Sequence, residues 1–93
     1  MDLVIPKKGI LVFSKNGCGR CTYAHNYLEK NKLDFKEINI STSSANKDFF
    51  WDTLRKSGFN KRTVKTPVLV VDGKVHSHLP DLKGFLKDLK ANR

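Results

Sequence analysis

Residues 10–21, ILVFSKNGCGRC, join a short apolar run to two cysteines that are three positions apart. The continuous apolar character of Ile10–Ser14 predicts a central strand that is covered on both faces. A helix is expected next, because apolar and small residues recur at helical spacing from Gly19 to about Lys30. The two cysteines therefore lie where a strand has ended and a helix begins.

The middle of the chain predicts a second strand and a second helix. Residues 33–40 alternate in hydrophobicity, which is typical of a strand near the edge of a sheet. The hydroxyl cluster at residues 41–44 supplies N-cap candidates for a second helix. Gly58 is suited to be the C-terminal cap of that helix. This helix carries an aromatic cluster that we expect to join the core.

The last third predicts a hairpin and a final helix. Two short strands, Val68–Val71 and residues 74–77, flank the turn dipeptide Asp72-Gly73, and Asp81 opens the last helix. The resulting order is β-α-β-α-β-β-α. It predicts an α/β fold with a four-stranded mixed sheet, two parallel strands and then an antiparallel hairpin, flanked by three helices. Because 93 residues suffice for one core only, we expect a single domain over residues 1–93, with residues 1–8 as an N-terminal extension.

Composition and charge restrict the location and the partners. The formal net charge of +9 predicts attraction to anionic partners, without separating nucleic acid from acidic protein or small carboxylates. Apolar runs have the length of one strand, so no membrane span is predicted. The short apolar run at residues 3–5 follows acidic Asp2 and precedes Lys7 and Lys8, which is the wrong order for a signal peptide. We therefore expect a cytoplasmic protein.

The two cysteines carry the chemistry that this sequence predicts. We expect amide N–H groups of the first helical turn to point towards the Cys18 sulfur, and Lys15 and Arg20 add positive charge. Such an environment lowers a cysteine pKa from about 8.5 to roughly 3.5–7.5. Cys21, one turn further in, is placed to attack a mixed disulfide on Cys18. Gly19 leaves a substrate room to approach, and Arg20, exposed between the thiols, is available to an acidic partner.

Over residues 10–89 the chain resembles the glutaredoxins, within the thioredoxin superfamily. The motifs that carry this resemblance are Phe13-Ser14-Lys15, Cys18-Gly19-Arg20-Cys21, Thr66-Pro67, Asp72-Gly73 and Asp81-Leu82. The resemblance implies a thioredoxin-like fold and a glutaredoxin-type oxidoreductase that reduces protein or glutathione mixed disulfides and transports electrons to a cytoplasmic acceptor. We expect no tightly bound cofactor, and we expect the protein to be a monomer.

Site residues follow from the same resemblance. Cys18 is the nucleophile and Cys21 the resolving thiol, while Thr66 and a cis-Pro67 line the substrate groove. Lys15 is expected to hold the glycyl carboxylate of glutathione. A basic residue in the loop before the proline is expected to assist it, the candidates being Lys61, Arg62 and Lys65.

One segment departs from the glutaredoxin pattern. Where the family has two glycines before the residues that hold the γ-glutamyl end of glutathione, residues 77–81 read Ser-His-Leu-Pro-Asp, and only Asp81 is retained. Pro80 also lacks an N–H to offer a ligand. Two reductants therefore stay open: glutathione as a cosubstrate, or a thioredoxin-reductase-like reductant of the kind that feeds the glutaredoxin-shaped donors of ribonucleotide reductase.

Two other functions compete with catalysis. Cys18 and Cys21 with His25, and with His76 or His78, supply ligands for a metal, and a zinc or iron–sulfur site shared between two chains needs fewer ligands from each. The second alternative is a basic module that binds nucleic acid or an acidic protein, with the thiols as a redox switch. The residues that would form its binding surface are Arg20, Lys61, Arg62 and Lys65. Catalysis is preferred because no stacking aromatic residues accompany those basic residues.

Overall fold

The computed structural model describes residues 7–59, 64–77 and 79–92. The elements, in chain order, are β1 Ile10–Ser14, α1 Gly19–Lys30, β2 Phe35–Asn39, α2 Ser44–Lys56, β3 Val68–Val71, β4 Lys74–His76 and α3 Leu82–Ala91. This order of strands and helices is the predicted one. Of the predicted N-terminal extension, residues 1–6 lie outside the described residues.

The strands form one mixed sheet in the order β2-β1-β3-β4. Strand β1 pairs parallel with β2 and antiparallel with β3, and β3 and β4 form the antiparallel hairpin. All five residues of β1 are buried, as expected for a central strand. The predicted α/β architecture is therefore confirmed, and the end of β1 lies beside the start of β3.

Helices cover both faces of the sheet. Successive side chains of a strand point to opposite faces, so β1 contributes residues to a cluster on each face. Ile10 and Val12 of β1 pack in a cluster with buried residues of α1 and α3. Leu11 and Phe13 pack on the other face with Phe50 of α2. No helix within the described ranges is both long and apolar enough to cross a membrane.

The predicted second strand is longer than the observed one. At the end of α1, Lys32 has a φ of 57°, and the backbone N–H of Leu33 donates to the carbonyl of Leu28 at 3.0 Å. Leu33 therefore closes the helix instead of starting β2. Gly58 has a φ of 93° just after α2, which confirms the glycine cap. The fourth strand likewise ends at His76, one residue earlier than predicted.

Candidate active site

Cys18 is the N-cap residue of α1. Its backbone is extended, with φ −101° and ψ 106°, and its sulfur accepts a hydrogen bond from the backbone N–H of Cys21 at 3.1 Å. The sulfur thus lies at the positive end of a 12-residue helix whose first turn carries no acidic residue. Cys18 and Cys21 form a disulfide, so the chain is described in its oxidised state.

Thr66 contacts the same sulfur from a distant part of the chain. Its hydroxyl donates to the sulfur of Cys18 at 3.2 Å, and its carbonyl oxygen lies 3.7 Å from that sulfur. The Thr66–Pro67 peptide bond is cis, as the resemblance implied. This proximity follows from the sheet, because Val68 pairs with Phe13 and so brings the start of β3 beside the end of β1.

The two cysteines differ in their access to solvent. Cys18 is half-buried, whereas only 4% of Cys21 is exposed. Gly19 is exposed, and a Cβ atom built there meets nothing within 4 Å. An approaching disulfide therefore reaches Cys18 before Cys21, over the open surface at Gly19.

Arg20 joins the start of α1 to the segment before α3. The residue is half-buried, not fully exposed as predicted, and its guanidinium donates a hydrogen bond to the carbonyl oxygen of Leu79. Asp81, two residues after Leu79, is exposed and caps α3 by accepting from the N–H of Gly84 at 3.1 Å. Both side chains thus already have partners within the protein.

The basic residues predicted to bind a carboxylate are only partly described. Lys15 is exposed and lines a pocket of about 510 Å³ together with Lys47 and the hydroxyl cluster at residues 41–44. Lys65 is exposed just before Thr66. Lys61, Arg62 and His78 lie outside the described residues.

His25 has partners that the sequence did not predict. Its Nδ1 lies 2.9 Å from Oε1 of Glu37 on β2, and its Nε2 lies 2.8 Å from Oε2 of Glu29 on its own helix. The hydrogen bond to Glu37 raises the pKa of His25 above its ordinary value of 6.5, although partial burial opposes this. The i,i+4 spacing of His25 and Glu29 is a signal that the sequence contains, whereas the contact with Glu37 depends on the parallel pairing of β1 and β2.

Within the described ranges, no cluster of three or more His, Cys, Asp or Glu is arranged to hold a metal ion.

A class of protein is defined by a cysteine that caps a helix, a second cysteine one turn later, and a threonine before a cis-proline that contacts the first cysteine. On a four-stranded mixed sheet with helices on both faces, these features are those of a thiol-disulfide oxidoreductase with a thioredoxin-like fold. A comparison with models of protein families matches residues 10–76 to the glutaredoxin model. The chain belongs to the glutaredoxin family.

Solved structures with the same fold include bacterial and plant proteins. Glutaredoxin 1 from Francisella tularensis is 24% identical, with a TM-score of 0.66 over 90% of this chain and 96% of that one. The buckwheat glutaredoxin–glutathione complex is 22% identical, with a TM-score of 0.66 over 88% and 71%. The glutaredoxin-like NrdH-redoxin from Escherichia coli, described by its thioredoxin-like activity profile, is 23% identical, with a TM-score of 0.58 over 86% and 92%. A comparison with curated proteins gives no match.

Proposed function

We propose that this protein reduces disulfides by dithiol exchange, with Cys18 as the nucleophile and Cys21 as the resolving thiol. One observation carries the proposal: the Cys18 sulfur caps α1 and receives hydrogen bonds from the Cys21 amide and the Thr66 hydroxyl. Both donors favour the thiolate over the thiol, because a hydrogen bond to the charged form lowers the pKa of the group. A thiolate is the form that attacks disulfides.

The exchange proceeds in two steps. The Cys18 thiolate attacks one sulfur of the substrate disulfide, a bond from Cys18 to the substrate forms, and the other substrate sulfur leaves with the electron pair. Cys21 then attacks the Cys18 sulfur, which releases the second substrate thiolate and leaves the Cys18–Cys21 disulfide. The substrate has gained two electrons, and an external reductant returns the pair to the dithiol. The difference in exposure between the two cysteines supports this order.

The substrate groove is proposed to run past Thr66 and Pro67. Thr66 is 5% exposed and contacts the reacting sulfur, and Pro67, joined to it by the cis peptide bond, is fully buried. By the family resemblance, the backbone of Thr66 pairs with the bound thiol substrate in the manner of an added strand. Lys15 is proposed to attract a carboxylate on that substrate.

The choice of reductant turns on the segment before α3. In this segment the Leu79 carbonyl is occupied by Arg20, the Asp81 carboxylate caps its helix, and Pro80 has no N–H. We propose that these features weaken the hold on the γ-glutamyl end of glutathione and so favour a thioredoxin-reductase-like reductant. Ribonucleotide reductase is then a candidate acceptor, and a cytoplasmic monomer is the state in which we expect the protein to work.

The test compares two reducing systems on one preparation. Turnover of a protein disulfide is measured with NADPH, glutathione and glutathione reductase, and separately with NADPH and thioredoxin reductase. We expect activity with at least one system and faster turnover with thioredoxin reductase. Cys18→Ser should abolish both activities, whereas Cys21→Ser should still form a mixed disulfide. An active Cys18→Ser variant would remove Cys18 from the mechanism.

The same variant tests the alternative of a basic module. Single-stranded DNA binding by Cys18→Ser is measured against salt concentration, because phosphate contacts make such binding strongly salt-dependent. Tight, salt-sensitive binding together with no turnover by the wild-type chain would favour the module.

A further inference from the structure

The loop that joins β1 to Cys18 is hydrogen-bonded to the end of β2. Residues 15–17 form this loop, between Ser14 and the N-cap residue of α1. Asn16 in the loop bonds to Asn39 and Ser41, which are 23 and 25 positions away in the sequence, and Asn39 and Ser41 bond to each other. We call the hydrogen bonds among Asn16, Asn39 and Ser41 the Asn39 network.

The hydrogen bonds of the Asn39 network form a closed ring. The side-chain amide nitrogen of Asn39 donates to the side-chain oxygen of Asn16 at 2.9 Å, and the side-chain oxygen of Asn39 accepts from the backbone N–H of Ser41 at 2.8 Å. The hydroxyl of Ser41 accepts from the backbone N–H of Asn16 at 3.1 Å. Asn39 therefore holds the side chain of Asn16 directly and its backbone through Ser41.

Asn39 is itself anchored in the fold. It is the last residue of β2 and pairs with Ser14 at the end of β1. Its backbone carbonyl oxygen accepts from the side chains of Thr42 at 3.1 Å and Asn46 at 3.0 Å, and Asn46 belongs to α2. The network thus connects the exposed loop to the sheet and to the start of α2.

The loop depends on this support because packing contributes little to it. Asn16 and Gly17 are both exposed. Gly17 has a φ of 71°, a turn that glycine adopts without steric cost, and a Cβ atom built there meets nothing within 4 Å. The Asn39 network is therefore what holds the chain just before this turn, two residues ahead of Cys18.

The position of the loop affects one of the two hydrogen bonds that the Cys18 sulfur accepts. The bond from the Cys21 N–H lies within the first turn of α1 and moves with that helix. The bond from Thr66 joins α1 to a different part of the fold, because Thr66 precedes β3 and β3 pairs with β1. A hydrogen bond weakens as donor and acceptor separate or lose alignment. A shift of the loop would therefore weaken the bond from Thr66.

We propose that Asn39 is a positioning residue for thiol exchange, which through Asn16 keeps the Cys18 sulfur within reach of the Thr66 hydroxyl. This inference rests on the proposed dithiol exchange, and it gives a role to a residue that has no hydrogen bond with either cysteine in the described ranges. Asn39 and Asn16 are uncharged, so their replacement by alanine changes geometry and not charge. The charged residues next to Cys18 and Thr66 along the chain are the same in every variant: Lys15, Arg20 and Lys65.

The experiment measures the rate of Cys18 alkylation against pH in the reduced Cys21→Ser protein. Asn39→Ala should raise the midpoint by about 0.5–1 pH unit, which is part of the effect expected from losing a hydrogen bond to a charged sulfur. Asn16→Ala should raise the midpoint in the same direction. Because the Asn16 side chain is exposed, this second variant should keep its fold.

Asn31→Ala is the matched control. Asn31 also donates a side-chain hydrogen bond to another residue, but it does so to the carbonyl of Tyr27 at the opposite end of α1. Its replacement should leave the midpoint unchanged.

A double variant shows whether the effect of Asn39 passes through Thr66. Thr66→Val lacks the hydroxyl that the network positions, so the addition of Asn39→Ala should shift the midpoint no further. Equal shifts with and without the Thr66 hydroxyl would overturn the inference. An unchanged midpoint in Asn39→Ala and Asn16→Ala would overturn it too, even if both variants were less stable. A midpoint at or above about 8.5 before any of these replacements would instead contradict the proposed function.

Discussion

Helices α1 and α3 begin with nearly the same capping bond, but only the N-terminus of α1 has the features of a site for thiol exchange. Cys18 caps α1 by accepting from the N–H three residues later at 3.1 Å, and Asp81 caps α3 by accepting from the N–H of Gly84, also at 3.1 Å. Asp81 is exposed, whereas Cys18 is half-buried and receives a second hydrogen bond from Thr66. A capping bond alone therefore does not indicate a reactive site. The hydrogen bond from Thr66, in a distant part of the chain, distinguishes Cys18 from Asp81.

The two helix starts are also linked to each other. Arg20, between the cysteines, donates to the carbonyl of Leu79, two residues before the α3 cap. The position of the segment that is expected to meet a substrate thus depends on a side chain within the active-site motif.

The largest effect should come from removing the distant contact. Thr66→Val keeps the shape of the side chain but loses the hydroxyl that donates to Cys18. A hydrogen bond to a charged group contributes about 1.5–3 kcal/mol, so the pKa of the reduced Cys18 thiol should rise by about 1–2 units. The pH dependence of alkylation measures this shift.

Thr53→Val is the control, because Thr53 is also a buried threonine but donates within α2 to the carbonyl of Phe49. It should leave the Cys18 titration unchanged. Equal titration curves for Thr66→Val and the wild type would show that the contact does not stabilise the thiolate.

Removing the cap of α3 should change stability and not reactivity. Asp81→Ala loses a capping bond, which should lower the free energy of unfolding by about 1 kcal/mol. Urea denaturation measures this loss, and Ser43→Ala, which removes the cap of α2, is the matched comparison. A large change in the Cys18 pKa for Asp81→Ala would mean that the two helix starts are electrostatically coupled.

Lys15 should have a smaller effect that depends on the charge of the substrate. Lys15→Met should raise the KM for a carboxylate-bearing thiol substrate by about twofold to fivefold, because exposed charge pairs contribute up to about 1 kcal/mol. Lys8→Met is the control, since Lys8 precedes β1 at the opposite end of that strand. An identical KM for both variants would exclude Lys15 from binding the carboxylate.

The smallest expected effect concerns stability and pH at His25. The pKa of His25 is raised in the folded chain, so its bonds to the carboxylates stabilise the fold fully below pH 6.5, and this contribution is lost as pH rises through the higher folded value. Glu37→Gln should therefore lower Tm more at about pH 5.5 than at about pH 8.5. A gap in Tm that does not change with pH would contradict this reading.

The fold was predictable because its signals are local. The apolar run of β1, the helical spacing after Cys18 and the turn at Asp72 each follow from neighbouring residues. The end of α1 was predicted less well, because alternation in hydrophobicity includes Leu33 although the backbone uses that residue to close the helix.

The site was predictable only as far as the family motifs reach. The cysteines and the cis-proline follow from their motifs, and the structure brings them together. The packing of helices and strands decides the Arg20–Leu79 bond and the contact between His25 and Glu37. It also decides that the Ser14 hydroxyl has no partner within the described ranges. No spacing rule within one element reveals such contacts, and the sequence offered His25 only as a metal ligand beside Cys18 and Cys21.

In the reduced protein, we expect the Cys18 sulfur to be a thiolate at the start of α1. The most direct test is the rate of Cys18 alkylation against pH in reduced Cys21→Ser, where no second thiol interferes. We expect a midpoint at least about one pH unit below the pKa of about 8.5 of an unperturbed cysteine. A midpoint at or above that value would contradict it.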